Sequence, residues 1–181
     1  DPARIALVYR GEGERQSLSR QQLERRVLSL VDHLVALGAR PGDRIALIGE
    51  NHPDFVAAFF AIAYLGGSAL PIPFRSAEGE IRYRLKDASA RIILHDAARE
   101  ARVLSAIDGL NGLIALSFKD ALQGEPRFRS PYEGPEASIA LILYTSGTTG
   151  EAKGAAIHHA ALLLHTLGLV HHRLRFDENT R

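Results

Sequence analysis

From Leu23 onward, Leu23, Val27, Leu30, Val31, Leu34 and Leu37 recur at helical spacing and so share one face of a predicted helix. Ser19, with Gln22 three positions later, offers a capping box at its start, and Gly38 marks its end. The turn ARPGDR leads into IALIG, Ile45 to Gly49, an uninterrupted apolar run of the kind that suits a strand buried on both faces. A second helix is predicted from Pro53, whose fixed φ fits a first helical turn. It carries Phe55, Val56, Phe59, Phe60, Ile62 and Tyr64, is hydrophobic nearly all round, and should therefore be deeply packed.

The alternation then repeats. SALPI reads as a strand, EGEIRYRLKDA as a helix, RIILH as a strand, DAAREARVLSAI as a helix with Asp96 as its N-cap, and LIALS as a strand. The polar, aperiodic stretch from Phe118 to Ala137 holds Gly124, Pro126, Pro131, Gly134 and Pro135 and is predicted to be a connecting loop. SIALILYT follows as a strong central strand, then GAAIHH as a further strand and AALLLHTLGLVHH as a final helix. Strands alternating with helices imply parallel neighbours joined by right-handed crossovers. The expected fold is α/β in three layers, a mostly parallel sheet with helices on both faces.

One run tests that picture: Phe55 to Phe74 contains no charged residue over about one bilayer-spanning length. Gly66 and Gly67 would end a helix, and Pro71 and Pro73 lack amide donors, so the run divides into helix, turn and buried strand. Composition agrees with a globular chain, being 46% apolar and 24% charged over 181 residues. A net charge of +1 makes no overall electrostatic case for nucleic acid or an acidic membrane, so any anion must be held by local geometry. The absence of cysteine removes disulfides and thiolate-bound zinc and fits a reducing compartment, with the cytoplasm as the expected location. No secretory leader pattern is present, and the chain has no methionine at all, which with its polar end RFDENTR makes it read as a piece of a longer protein.

The candidate chemistry sits in ILYTSGTTGEAKG, Ile142 to Gly154, at the carboxyl end of a predicted strand, where α/β sheets gather their ligands. Gly147, Gly150 and Gly154 tolerate positive φ and let successive backbone amides converge on an anion. The hydroxyls of Thr145, Ser146, Thr148 and Thr149 add donors, and Lys153 adds a mobile positive charge. A triphosphate suits such a set. A flexible Ser/Thr/Gly linker would have much the same composition, but linkers seldom begin directly on an apolar strand or end on a lysine-glycine pair. The segment is also not a Walker A loop, because Lys153 is preceded by Ala152 and followed by Gly154.

YTSGTTGEAKG resembles the phosphate-binding signature of the adenylate-forming (AMP-binding) superfamily, which includes acyl-CoA synthetases, peptide-synthetase adenylation domains and firefly-type luciferases. GARPGDRIALIGENHPDFVAAFFAIAYLGGSALPI and EIRYRLKDASARIIL are similar to segments that precede the signature in that family, in the same order. The resemblance implies that a carboxylic acid attacks the α-phosphate of ATP, giving an acyl-adenylate and pyrophosphate, and that a thiol, usually of coenzyme A, then takes the acyl group. It implies ATP-phosphate contacts for Thr145, Ser146, Gly147, Thr148, Thr149, Gly150, Lys153 and Gly154, with Lys153 at the signature lysine. It also implies that residues 1–181 are the N-terminal part of the AMP-binding large domain, inactive alone, with the main magnesium ligand beyond Arg181.

The segment around LPIPFRSAEGEIRY is more like the coenzyme A ligases than the peptide synthetases, so an acyl-CoA synthetase leads. A peptide-synthetase adenylation domain and a nonenzymatic nucleotide-binding piece on the same fold are the alternatives. No membrane span and no nucleic acid are expected, and a homo-oligomer is compatible with the reading. Two departures from the family pattern matter: Ala152 replaces the usual proline, loosening the backbone, and Glu151 puts a negative charge beside the phosphate site. Without nucleotide, Ser146 to Lys153 should be mobile.

Other residues read more plainly. His158, His165 and His172 would share a helical face, but steps of seven residues separate them by about 10 Å, too far to hold one ion. No metal site is therefore expected, and His159 is kept as a weak candidate on the substrate side or at the helix entry. The arginines of EARVLSAI and IRYRLKDA alternate with acids and are expected on solvated helix faces.

Overall fold

A computed structural model describes residues 1–11, 13–127, 129–135, 137–145 and 152–169. The chain begins with an antiparallel hairpin, β1 (Ile5–Gly11) and β2 (Glu14–Ser19), which forms its own two-stranded sheet. No element is expected there from the sequence, although Ile5 to Tyr9 is an apolar run and Gly13 turns the chain at φ 87 between two extended segments. Ser19 then caps α1 (Arg20–Ala36): its Oγ accepts from the Gln22 amide at 3.2 Å, while Gln22 Oε1 accepts from the Ser19 amide at 2.8 Å. The predicted capping box is present, and Gly38 leaves the helix at φ 78.

The main body runs β3 (Arg44–Ile48), α2 (Pro53–Tyr64), β4 (Ser68–Ile72), α3 (Glu78–Asp87) and β5 (Ile92–His95). It continues through α4 (Glu100–Ile107), β6 (Ile114–Ser117), α5 (Phe118–Ala121), β7 (Ile139–Thr145), β8 (Lys153–His158) and α6 (His159–Gly168). Six strands lie in the order β6-β5-β3-β4-β7-β8, parallel except for the antiparallel β7–β8 pair. The α/β, mostly parallel architecture expected from the alternation is what the chain adopts.

Successive residues of β3 point to opposite faces. Ile45 and Leu47 join Leu30, Leu34, Ala58 and Ile62 under α1 and α2, whereas Ala46 and Ile48 join Ile81, Leu85 and Val103 under α3 and α4. Burial on both faces is the reason the strand needs a continuous apolar run. Between β4 and β7 the registered pairing is short, Ala69 opposite Leu141, and the buried Ser68 reinforces it by donating to the carbonyl oxygen of Ile139 at 2.7 Å.

Several expectations need correction. The strand SIALILYT lies next to the last strand, not at the centre, because β8 folds back along it; β3 and β4 hold the middle. The expected loop from Phe118 opens with helix α5, which Ser117 caps by accepting from the Asp120 amide at 3.1 Å. Asp96 does act as an N-cap, but of a 3-10 turn, Ala97–Arg99, that precedes α4. α2 is not buried all round: Ala57, Ala58, Ala61 and Ile62 face the core, while Phe60 remains 50% exposed. No helix among the described residues is long and apolar enough to cross a membrane, in line with the division of Phe55 to Phe74 into α2, turn and β4.

Candidate functional site

Because β3, β4, β5, β6 and β7 run parallel, their carboxyl ends share one edge of the sheet. The candidate loop leaves that edge from β7 and returns as β8. Thr145 and Lys153 are registered partners in the antiparallel ladder, and Tyr144 faces Gly154 one step inward. Both Thr145 and Lys153 are exposed, so the hydroxyl and the ammonium are available to a ligand at the edge. Ser146, Gly147, Thr148, Thr149, Gly150 and Glu151, together with the mobility expected of this loop, lie outside the described residues.

Gly154 is pressed against neighbouring side chains. A Cβ there would lie 3.1 Å from Cζ of Tyr144 and 3.2 Å from Cγ2 of Ile142, so any side chain at 154 would crowd both at the foot of the loop. The Tyr144 ring occupies that place because α3 holds it. Its hydroxyl donates to Asp87 Oδ2 at 2.5 Å, its ring meets that of Tyr83 edge-on at 6.2 Å, and the guanidinium carbon of Arg84 lies 5.9 Å from its centre. Burial, and next the hydrogen bond to Asp87, holds the Tyr144 phenol far above its ordinary range. Tyr83 reaches the other limb, its hydroxyl donating to the carbonyl oxygen of Ala152 at 2.9 Å.

Neither tyrosine contact is legible in the sequence. Tyr83, Arg84 and Asp87 stand in the helix segment EIRYRLKDA, and the approach of α3 to the β7–β8 hairpin emerges only when the sheet order is known. The solvated faces expected for the arginines are also corrected. Arg82 donates to the carbonyls of Ala106 at 3.0 Å and Asp108 at 2.6 Å, and Arg102 to those of Phe74 at 3.2 Å and Ser76 at 3.3 Å. Arg84 donates to the Ser76 hydroxyl at 2.9 Å. These guanidiniums tie α3, α4 and the loop after β4 together, mostly by satisfying backbone oxygens.

A second cluster lies along the same sheet edge. Arg99 pairs with Glu50 after β3 at 2.6 Å and with Asp96 after β5 at 3.0 Å, and its guanidinium carbon sits 5.0 Å from the centre of the Phe74 ring after β4. Its pKa is raised, first by the hydrogen bond to Glu50. Three strand ends are thereby pinned to one another.

Among the described residues the histidines form no centre. His158 pairs through Nδ1 with the carbonyl oxygen of Ala137, and the amide of His159 donates to Ser138 at 3.1 Å as the half-buried first residue of α6. His165 is exposed, and His171 and His172 lie outside the described residues. Among the described residues no group of three His, Cys, Asp or Glu could hold a metal ion. Of the candidate loop's side-chain donors, the described ones are the Thr145 hydroxyl and the Lys153 ammonium, which suit phosphate oxygens rather than a cation.

The chain is similar to known proteins in sequence and in fold. The model of the family described as "AMP-binding enzyme" matches residues 1–181. A feruloyl-CoA synthase of Amycolatopsis sp is 32% identical over 151 residues, covering 81% of this chain but 29% of that protein. A linear gramicidin synthase polypeptide of Brevibacillus parabrevis is 27% identical over 99% of this chain and 2% of its own length. The crystal structure of ATP-bound MatB from Rhodopseudomonas palustris superposes with a TM-score of 0.83 at 28% identity, covering 94% of this chain and 35% of that one. The chain thus spans about a third or less of the length of these relatives.

Proposed function

The chain belongs to the AMP-binding enzyme family, and from that premise we propose that its protein activates a carboxylic acid with ATP and passes the acyl group to coenzyme A, as an acyl-CoA synthetase. The observation that carries the proposal is the Thr145–Lys153 pair, which closes a glycine- and hydroxyl-rich loop at the carboxyl edge of the sheet. Thr145, Ser146, Gly147, Thr148, Thr149, Gly150, Lys153 and Gly154 would hold the triphosphate. Their donors would bear the negative charge that grows on pyrophosphate as the substrate carboxylate attacks the α-phosphorus and the bond to the bridging oxygen breaks. Magnesium would supply further charge neutralisation from ligands outside residues 1–181. On this proposal residues 1–181 are the N-terminal part of the large domain of a cytoplasmic enzyme.

Removing the Lys153 ammonium tests the assignment. In the full-length protein, Lys153→Ala should lower acid-dependent exchange of pyrophosphate into ATP by more than about tenfold, the scale of one lost charge-assisted contact in the transition state. Circular dichroism should be unchanged, since Lys153 is exposed. Exchange at the parental rate would overturn the phosphate role.

A second reading is favoured by the likeness to the linear gramicidin synthase polypeptide, which extends over 99% of the chain. The acceptor would then be a carrier-protein thiol in a peptide synthetase. Product analysis separates the two, since only the ligase forms a free coenzyme A thioester.

A further inference from the structure

We propose that Tyr83 is a positioning residue for ATP, acting through Ala152 on Lys153; this rests on the phosphate role proposed for that lysine. Three observations meet here. Tyr83 donates its hydroxyl to the Ala152 carbonyl at 2.9 Å, across 69 positions of sequence. The accepting residue directly precedes Lys153, the first residue of β8. Tyr83 also packs edge-on against Tyr144, whose hydroxyl is held by Asp87 on the same helix, so α3 grips both limbs of the hairpin.

The consequence follows from peptide planarity. The Ala152 carbonyl and the Lys153 amide belong to one rigid unit, and in a trans peptide they point in opposite directions. Holding the oxygen toward Tyr83 therefore fixes the direction of the Lys153 N–H and of its N–Cα bond, and the extended backbone of the β7–β8 ladder then orients the side chain about that bond. The restraint matters because position 152 is alanine, free to sample φ values that a proline ring would exclude. A lysine side chain loses much rotamer freedom when it binds a phosphate, so an ordered starting backbone lowers the cost of that step. Tyr83 touches no nucleotide atom in this scheme. Its contribution is confined to the part of the ligand that Lys153 meets, which separates it from a general stabiliser of the fold.

Calorimetric titration of the full-length protein with MgATP and, separately, with AMP tests the assignment without knowledge of the acid substrate. Tyr83→Phe keeps the ring and removes the hydroxyl; it should weaken MgATP roughly fivefold, the worth of about one net hydrogen bond, and leave AMP unchanged. Adding Ala152→Pro to Tyr83→Phe should restore MgATP affinity to within about twofold, because the ring supplies the stiffness that the hydroxyl had supplied. Unchanged MgATP affinity in Tyr83→Phe, or equal weakening of MgATP and AMP, would overturn the positioning role while leaving the loop assignment standing if Lys153→Ala still weakens MgATP selectively. Lys153→Ala without effect would remove both. Should Tyr83→Phe melt far below the parent, Ala152→Pro alone decides: tighter MgATP binding supports a loop limited by freedom at position 152, and unchanged binding counts against it.

Discussion

Tyr144 donates its hydroxyl to Asp87 at 2.5 Å, joining β7 to α3 one residue before Thr145. Burial and this bond raise the phenol's pKa. The folded state consequently holds the proton more tightly than the unfolded chain, so the stabilisation is complete below the ordinary tyrosine pKa of about 10 and declines as pH rises above it. Absorbance titration at alkaline pH should show Tyr144→Phe removing no phenol that ionises in the ordinary range. Loss of a normally titrating phenol in that variant would contradict the burial.

Asp32 on α1 accepts from the Arg127 amide at 2.6 Å and from Arg129 Nε at 2.7 Å, strapping the segment before β7 against the helix. The Arg127 amide first, then the Arg129 guanidinium, holds this carboxyl below its usual range. Its stabilisation is present above the unfolded carboxylate pKa of about 3.9 and is lost as pH falls through the lower folded value. Asp32→Ala should cost about 1.5 kcal/mol at neutral pH. Urea unfolding across the acid range should show the gap between variant and parent narrowing below about pH 4.

Gly66, which ends the turn after α2 at φ 72, has the Tyr132 ring over it, and a Cβ there would lie 2.1 Å from Cδ1 of that ring. Gly66→Ala should destabilise the fold by about 2 kcal/mol from the left-handed backbone alone, before the clash is counted. Thermal unfolding of Gly66→Ala with and without Tyr132→Ala separates the two causes. The second change should recover the steric part only.

Along α2, Ile62 is fully buried and Phe60 half exposed. Ile62→Ala should cost about 3 kcal/mol in urea unfolding, as for a buried aliphatic side chain. Phe60→Ala should cost well under the roughly 3–5 kcal/mol of a buried phenylalanine. Equal losses would mean that the outer face of α2 is packed after all.

The elements legible in advance are those written in local chemistry. The Ser19–Gln22 capping box, Pro53 at the start of α2, and the apolar runs of β3, β4 and β5 each act within a few residues, and each stands where the pattern places it. The expected loop signature, from Thr145 to Gly154, is equally local, and its foot is where β7 and β8 pair. The β1–β2 hairpin escapes such a reading because it pairs the short apolar run Ile5 to Tyr9, largely exposed, with the polar strand ERQSLS, so neither strand shows a clean alternation of apolar and polar residues.

What the sequence determined by itself was the order of the strands and helices other than β1, β2 and α5, the family signature and the chemical character of the loop. These follow from side-chain periodicity, caps and glycine placement, all short-range properties of the chain. The tertiary structure decided which strands are neighbours: it set β7 one place from the edge, turned the arginines of α3 and α4 onto backbone carbonyls, and brought Tyr83 to Ala152. Such contacts join residues far apart in sequence, and periodicity sorts residues by face without naming the partner that the face will meet.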